Sequence, residues 1–100
     1  MSASGIEFLT KLESIVRDRL ANPRTGSYTA NLAAAGGKRI AQKVGEEGVE
    51  LALAAVAGKH DEIIDESADL IYHMIVLLAR HDLSLADVAS KLEQRHVAKD

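Results

Sequence analysis

Apolar residues recur at spacings of three and four along every patterned segment of this chain, which is the period of an α-helix. The first series consists of Ile6, Leu9, Leu12, Val16 and Leu20. No segment shows the strict apolar–polar alternation of a half-buried strand. The pattern therefore predicts an all-α fold of four or five helices, and a chain of 100 residues predicts a single domain over residues 1–100.

Helix-breaking residues divide the first half of the chain. Pro23 disfavours the helical conformation in the residue before it, so the first helix is predicted to end near Ala21. Thr29 is the predicted N-cap of a short helix. The pair Gly36-Gly37 ends that helix.

Three further helices follow. Their predicted bounds are about 38–57, 61–81 and 84–96. Asp61 is the predicted N-cap of the second of these helices. Ser84 and Asp87 have the spacing of a capping box at the start of the last one.

Glu47 lies inside the apolar stripe of the helix over 38–57. At about 100° per residue, Ile40, Val44 and Leu51 share one side of this helix, and Glu47 falls among them where a leucine would be expected. Glycines at 45 and 48 lie close to it, each at a cost of about 1 kcal/mol relative to alanine. A close helix contact or access for a ligand would explain these features.

The opposite side of the same helix is apolar too, through Val49, Leu53 and Val56. A helix with two apolar sides needs partners on both of them. One small chain supplies few such partners, so the sequence predicts a homodimer whose helices complete the bundle.

Eight acidic residues and one lysine lie between Glu46 and Asp69. Two pairs spaced i,i+3, Glu47 with Glu50 and Glu66 with Asp69, each project from one side of a helix. If the two long helices pack antiparallel, the pairs face each other. Converging carboxylates repel, and a hard divalent cation such as Mg²⁺ would relieve that repulsion. The alternative interpretation is two solvated acidic faces.

Composition narrows the partners and the chemistry. The chain has no cysteine and has a single histidine near the carboxylate pairs, so a zinc site is disfavoured. The concentrated negative charge repels the phosphate backbone of nucleic acid, so binding to nucleic acid is disfavoured. No apolar run approaches the length of a membrane span, and residues 1–5 lack the pattern of a signal peptide, so we expect a cytoplasmic protein and no membrane partner.

Two segments resemble a known signature. KVGEEGVE at 43–50 and ESADLIYH at 66–73 resemble the EExxE…ExxD pattern of the all-α, MazG-like nucleotide pyrophosphohydrolases. Within that superfamily, GSYT at 26–29, Lys43 and the DLIYH ending are similar to the phosphoribosyl-ATP pyrophosphohydrolases. The resemblance runs from about residue 6 to 96, with Gly48 where alanine would be expected.

The resemblance implies hydrolysis of phosphoribosyl-ATP to phosphoribosyl-AMP and pyrophosphate, the second step of histidine biosynthesis. The implied Mg²⁺ ligands are Glu47, Glu50, Glu66 and Asp69. The catalytic candidates are Glu47 and Glu46, the latter as a ligand to a second ion or as the base for the attacking water. The substrate-binding candidates are Ser27, Tyr28, Thr29, Arg39, Lys43 and His73.

Two other functions fit the same residues. A housecleaning enzyme that hydrolyses (d)NTPs would use the same metal site on another substrate. A non-catalytic, dimeric helical interaction module would carry the acidic residues as a solvated face. A panel of nucleotide substrates separates these alternatives.

Overall fold

The computed structural model describes residues 4–99, in which all regular structure is helical. The helices are α1 (Ser4–Ala21), α2 (Tyr28–Ala35), α3 (Gly37–Ala57), α4 (His60–Arg80) and α5 (Leu85–Lys99). The all-α prediction is confirmed. None of these helices combines the length and the apolar composition that a membrane crossing requires.

Helices α3 and α4 form the centre of the fold. They are joined by the short turn at Gly58 and Lys59, so they run antiparallel and make the most extensive contact between helices in the described chain. Helix α1 packs on α4, and α2 packs on both α1 and α3. The buried core takes side chains from each of the first four helices: Val16, Leu32, Ile40, Ile75 and Val76.

The N-cap of α2 is Ser27, and the prediction of Thr29 is wrong. The Ser27 hydroxyl accepts a hydrogen bond from the backbone N–H of Ala30 at 3.2 Å. Thr29 lies in the first turn of the helix, where it is buried and its hydroxyl contacts the hydroxyl of Tyr72. The sequence pattern alone does not show which of two neighbouring hydroxyl residues is the N-cap. In the structure, the contact of Thr29 with Tyr72 on α4 distinguishes them.

The other two predicted caps had different outcomes. Helix α4 begins at His60 with Lys59 at the N-cap, so the prediction of Asp61 as the cap is wrong. Asp61 lies instead in the first turn, where its negative charge interacts favourably with the positive end of the helix dipole. The capping box is confirmed, because Ser84 N–H donates to Asp87 Oδ2 at 2.9 Å and Asp87 N–H donates to Ser84 Oγ at 3.2 Å.

Gly58 closes α3 in the left-handed conformation, with φ +73°. Gly58→Ala is therefore expected to lower the free energy of unfolding by about 1 kcal/mol. Gly48→Ala is the matched control, since Gly48 lies inside α3 and an added Cβ would meet no atom within 4 Å beyond its own stretch of helix. We expect it to raise stability by up to about 1 kcal/mol in urea titrations. Shifts of the same sign in both variants would contradict this account.

Candidate active site

The antiparallel packing of α3 and α4 brings carboxylates from the two helices together, as the sequence predicted. One oxygen each from Glu47, Glu66 and Asp69 lie within 4.8 Å of one another. These three residues are called the carboxylate cluster below. Glu50, the fourth predicted ligand, lies on the same helix as Glu47 and close enough to it for the Glu47 carboxylate to raise the pKa of Glu50.

Glu47 is only 5% exposed, which confirms its position in the buried stripe of α3. Its Oε2 lies 3.3 Å from Lys43 Nζ, whereas its Oε1 is buried without a hydrogen-bond partner. Burial raises the pKa of Glu47, but the interactions with Lys43 and Glu50 outweigh it and leave this pKa below its ordinary value. The interaction with Glu47 raises the pKa of Lys43. Glu47 is therefore a buried carboxylate in its charged form.

The two acidic neighbours of Glu47 shift in the opposite direction. The close interaction with the Glu47 carboxylate raises the pKa of Glu50. Burial raises the pKa of Glu66, with further contributions from the charges of Glu50 and Glu47. Glu66 Oε1 is also buried without a hydrogen-bond partner. These shifts are the expected result of carboxylates that converge without a compensating cation.

A hard divalent cation fits the carboxylate cluster. Two buried oxygens, on Glu47 and Glu66, lack a hydrogen-bond partner, and such atoms are costly unless a ligand satisfies them. The donors are all carboxylate oxygens, the ligands that Mg²⁺ prefers. The nearby His73 uses both ring nitrogens in hydrogen bonds to protein atoms, so it is not a free zinc ligand.

Glu46 lies outside the carboxylate cluster. Its Oε2 accepts a hydrogen bond from Gln42 Nε2 at 2.9 Å and lies 3.9 Å from Arg39 Nη1. Its Oε1 lies 3.7 Å from Lys43 Nζ. The structure thus places the predicted substrate-binding residues Arg39 and Lys43 around Glu46, and Lys43 joins them to Glu47.

The segment before and at the start of α2 lies against α4. The Tyr28 hydroxyl is 2.8 Å from His73 Nε2, and Thr29 contacts Tyr72. Ser27 uses its hydroxyl as the helix cap. Of the three hydroxyl residues predicted to bind substrate, Tyr28 is the one that is half exposed and also close enough to Lys43 to raise its pKa.

Tyr72 is the residue of this region that the sequence analysis did not select. Its ring centroid lies 5.3 Å from that of His73 and 6.1 Å from that of Tyr28. The available signal was a lone polar aromatic residue within the apolar face of α4. That signal does not distinguish a core residue from one that borders a site.

Converging carboxylates on two antiparallel helices, with a lysine paired to one of them, fit the class that the sequence resembles, the all-α nucleotide pyrophosphohydrolases. The family described as phosphoribosyl-ATP pyrophosphohydrolase matches residues 9–96. The chain belongs to this family, which confirms the resemblance. Family and acidic cluster together indicate the use of a divalent metal.

Curated relatives carry the name histidine biosynthesis bifunctional protein HisIE. The protein of Photobacterium profundum is 57% identical over 89 residues, which are 89% of this chain and 43% of the relative. The Vibrio cholerae protein is 54% identical over 93 residues, which are 93% of this chain and 44% of the relative. That of Campylobacter jejuni is 55% identical over 91 residues, which are 91% of this chain and 44% of the relative. The chain thus spans about half the length of the curated relatives it matches.

Proposed function

We propose that this chain hydrolyses phosphoribosyl-ATP to phosphoribosyl-AMP and pyrophosphate in a Mg²⁺-dependent reaction, the second step of histidine biosynthesis. The observation that carries the proposal is the carboxylate cluster, whose two partnerless buried oxygens need a cation. The match of residues 9–96 to the pyrophosphohydrolase family supports the reaction, and the names of the relatives support the pathway.

In this proposal Glu47, Glu66 and Asp69 hold the metal, with Glu50 as the neighbouring fourth ligand. When bound, Mg²⁺ supplies positive charge that stabilises the leaving pyrophosphate and lowers the pKa of water. The ion pair with Lys43 keeps Glu47 charged and therefore ready to bind a cation.

Lys43 and Arg39 are the groups that would meet the phosphates. Both are held near Glu46, at 3.7 Å and 3.9 Å, so their side chains are kept at the edge of the site. Because Glu46 already pairs with these cations and with Gln42, its use as a base for the attacking water requires it to leave them. The other role proposed for Glu46 is that of a ligand to a second metal ion.

The proposed oligomer is a homodimer built on the outer face of α3. Val49, Leu53 and Val56 on that face are 60%, 64% and 87% exposed. Gly45 lies on the same side of the helix, and in the described chain a Cβ added there would meet no atom within 4 Å beyond its own stretch of helix. A glycine beside a valine–leucine face allows a second helix to approach closely, so a second copy of the chain is the proposed partner.

The activity test is pyrophosphate release from phosphoribosyl-ATP with MgCl₂ and with EDTA, beside ATP and a panel of dNTPs. We expect release from phosphoribosyl-ATP with MgCl₂, and a loss of at least about a hundredfold with EDTA. Release from dNTPs in preference would assign the site to a housecleaning enzyme. Release from no substrate would contradict the enzymatic proposal and favour an interaction module.

A further inference from the structure

Helix α5 is attached to the rest of the protein mainly at its first turn. Among the described side chains of α5, Leu85 and Val88 are half buried, and Leu85 packs against the edge of the buried core. From residue 89 to residue 97 every side chain is exposed. Of the five helices described, α5 has the least contact with the others. It therefore gains little of the apolar burial from which most helices in proteins take their stability.

Open grooves lie on both sides of α5. The groove between α1 and α5 has a volume of about 400 Å³ and is bordered by Ile6, which is 82% exposed, and Leu92, which is 58% exposed. A second groove, of about 250 Å³, lies between α5 and Leu78 of α4. Side chains in a protein interior normally fill such space. Beyond its first turn, α5 is thus loosely packed against both neighbouring helices.

Two polar residues of α1 hold the turn that leads into α5. Glu13 Oε2 accepts a hydrogen bond from the backbone N–H of Leu85 at 2.7 Å, and Arg17 Nη2 donates to the main-chain oxygen of Leu83 at 2.9 Å. The same Glu13 oxygen lies 4.0 Å from Arg17 Nη2, and the Glu13 side chain is 15% exposed. Leu85 is the first residue of α5, so its N–H has no acceptor inside the helix. The Glu13 carboxylate supplies that acceptor and places a negative charge at the positive end of the helix dipole.

The boundary between α4 and α5 falls between Leu83 and Ser84. The N–H of Leu83 donates to the main-chain oxygen of Leu78 at 2.8 Å, so the chain as far as Leu83 completes the end of α4. The capping box begins at Ser84 and belongs to α5. Separation of α5 at this boundary breaks the hydrogen bond of Glu13 and the packing of Leu85, and it leaves the contact between α3 and α4 intact.

We propose that α5 is a separate cooperative unit that detaches and unfolds while α1–α4 remain folded, and that the Glu13 carboxylate is the latch that keeps it closed. A helix of 15 residues is only marginally stable in water by itself, so α5 loses its backbone hydrogen bonds once Leu85 leaves the core. Segments with little apolar burial open at a lower free energy than the whole fold. Opening of α5 uncovers Ile6 and Leu9 of α1, which makes an apolar surface that the closed form covers in part.

The first test is amide hydrogen exchange of the full chain at pH 7, in the oligomeric state that it adopts in solution. We expect the amides of residues 89–97 to exchange at least about a hundredfold faster, relative to their unfolded-state rates, than those at the centres of α3 and α4. Equal protection of α5 and of the two central helices would overturn the proposal. A second copy packed over α5 would give that result.

The second test asks whether α5 opens independently of the core, and it uses Ile40→Val. Ile40 lies on α3 and is fully buried, so the loss of one methyl group destabilises the closed protein and the form with α5 open by the same amount. We expect exchange at the centres of α3 and α4 to become about fivefold faster and exchange in α5 to stay within about twofold. An equal acceleration in all three helices would show that α5 opens only when the whole chain unfolds, which would overturn the proposal.

The third test concerns the latch. Glu13→Ala removes the acceptor of the Leu85 N–H, and we expect exchange in α5 to become about tenfold faster. Glu13→Gln keeps an acceptor without its charge, so an increase of about threefold is expected. Glu7→Ala, at an exposed acidic residue of the same helix, is the matched control and should leave α5 within about twofold. Equal rates in Glu13→Ala and Glu7→Ala would overturn the role of Glu13. If Glu13→Ala does not fold, Glu13→Gln and Glu7→Ala make the same comparison.

Discussion

Glu47→Gln is expected to reduce pyrophosphate release from phosphoribosyl-ATP by at least about a thousandfold. The substitution keeps the shape of a side chain that is buried at the centre of the site but removes its charge. Loss of a charged ligand to a catalytic cation removes several kcal/mol of transition-state stabilisation, and each 1.36 kcal/mol is tenfold in rate. Turnover at saturating MgCl₂ and substrate measures this effect.

Glu62→Gln is the matched control for the loss of charge. Glu62 is an acidic residue of α4 whose side chain is more than half exposed and forms an ion pair with Lys59 on the turn. We expect its turnover to match that of the unchanged protein. If Glu47→Gln retains turnover within about tenfold, or if Glu62→Gln loses as much, the assignment of the carboxylate cluster as the metal site is wrong.

The stability of Glu47 variants gives a second comparison. Glu47→Gln loses the ion pair with Lys43 but also the repulsion from Glu50 and Glu66, so we expect the unfolding free energy to change by no more than about 1 kcal/mol. A non-catalytic module would behave differently in Glu47→Leu. That variant would be more stable with no activity to lose, because an apolar residue replaces a buried charge.

Much of the fold follows from local pattern. The spacing of apolar residues at about 3.6 positions predicted the helices. Glu47, an acidic residue within the apolar stripe of α3, was correctly predicted to lie on the side of α3 that is buried in the fold. The capping box of Ser84 and Asp87 was also predictable, because both partners of each hydrogen bond lie within four residues. Interactions that close over such a short distance depend little on the rest of the chain.

Several features that the sequence did not predict depend on contacts over long sequence distances. The choice of Ser27 over Thr29 as the cap follows from the contact of Thr29 with Tyr72, 43 residues away. The hydrogen bond between Tyr28 and His73 spans 45 residues, so no local pattern indicates that it forms. Which three of the four predicted ligands approach most closely is likewise set by the rotation of α3 against α4.

Leu53→Glu is expected to convert the proposed homodimer to a monomer. Leu53 is 64% exposed at the centre of the apolar outer face of α3, so the substitution should not disturb the fold of one chain. Two glutamates placed in an apolar contact lose several kcal/mol of hydration each, which raises the dimer dissociation constant by at least about a thousandfold. Sedimentation equilibrium at micromolar concentration, with circular dichroism for the fold, measures both effects.

Val97→Glu is the matched control, since Val97 is an apolar residue on α5 that is 74% exposed, compared with 64% for Leu53. Dissociation by Val97→Glu and not by Leu53→Glu would move the interface to α5. A monomeric unchanged protein would refute the dimer outright. It would also leave the glycine at 45 without a structural reason, because no other part of the described chain approaches within 4 Å of a Cβ added there. In an isolated chain, a glycine inside a helix lowers the stability of that helix, and the valine–leucine face leaves apolar surface exposed to water. A second copy packed against α3 would explain both features.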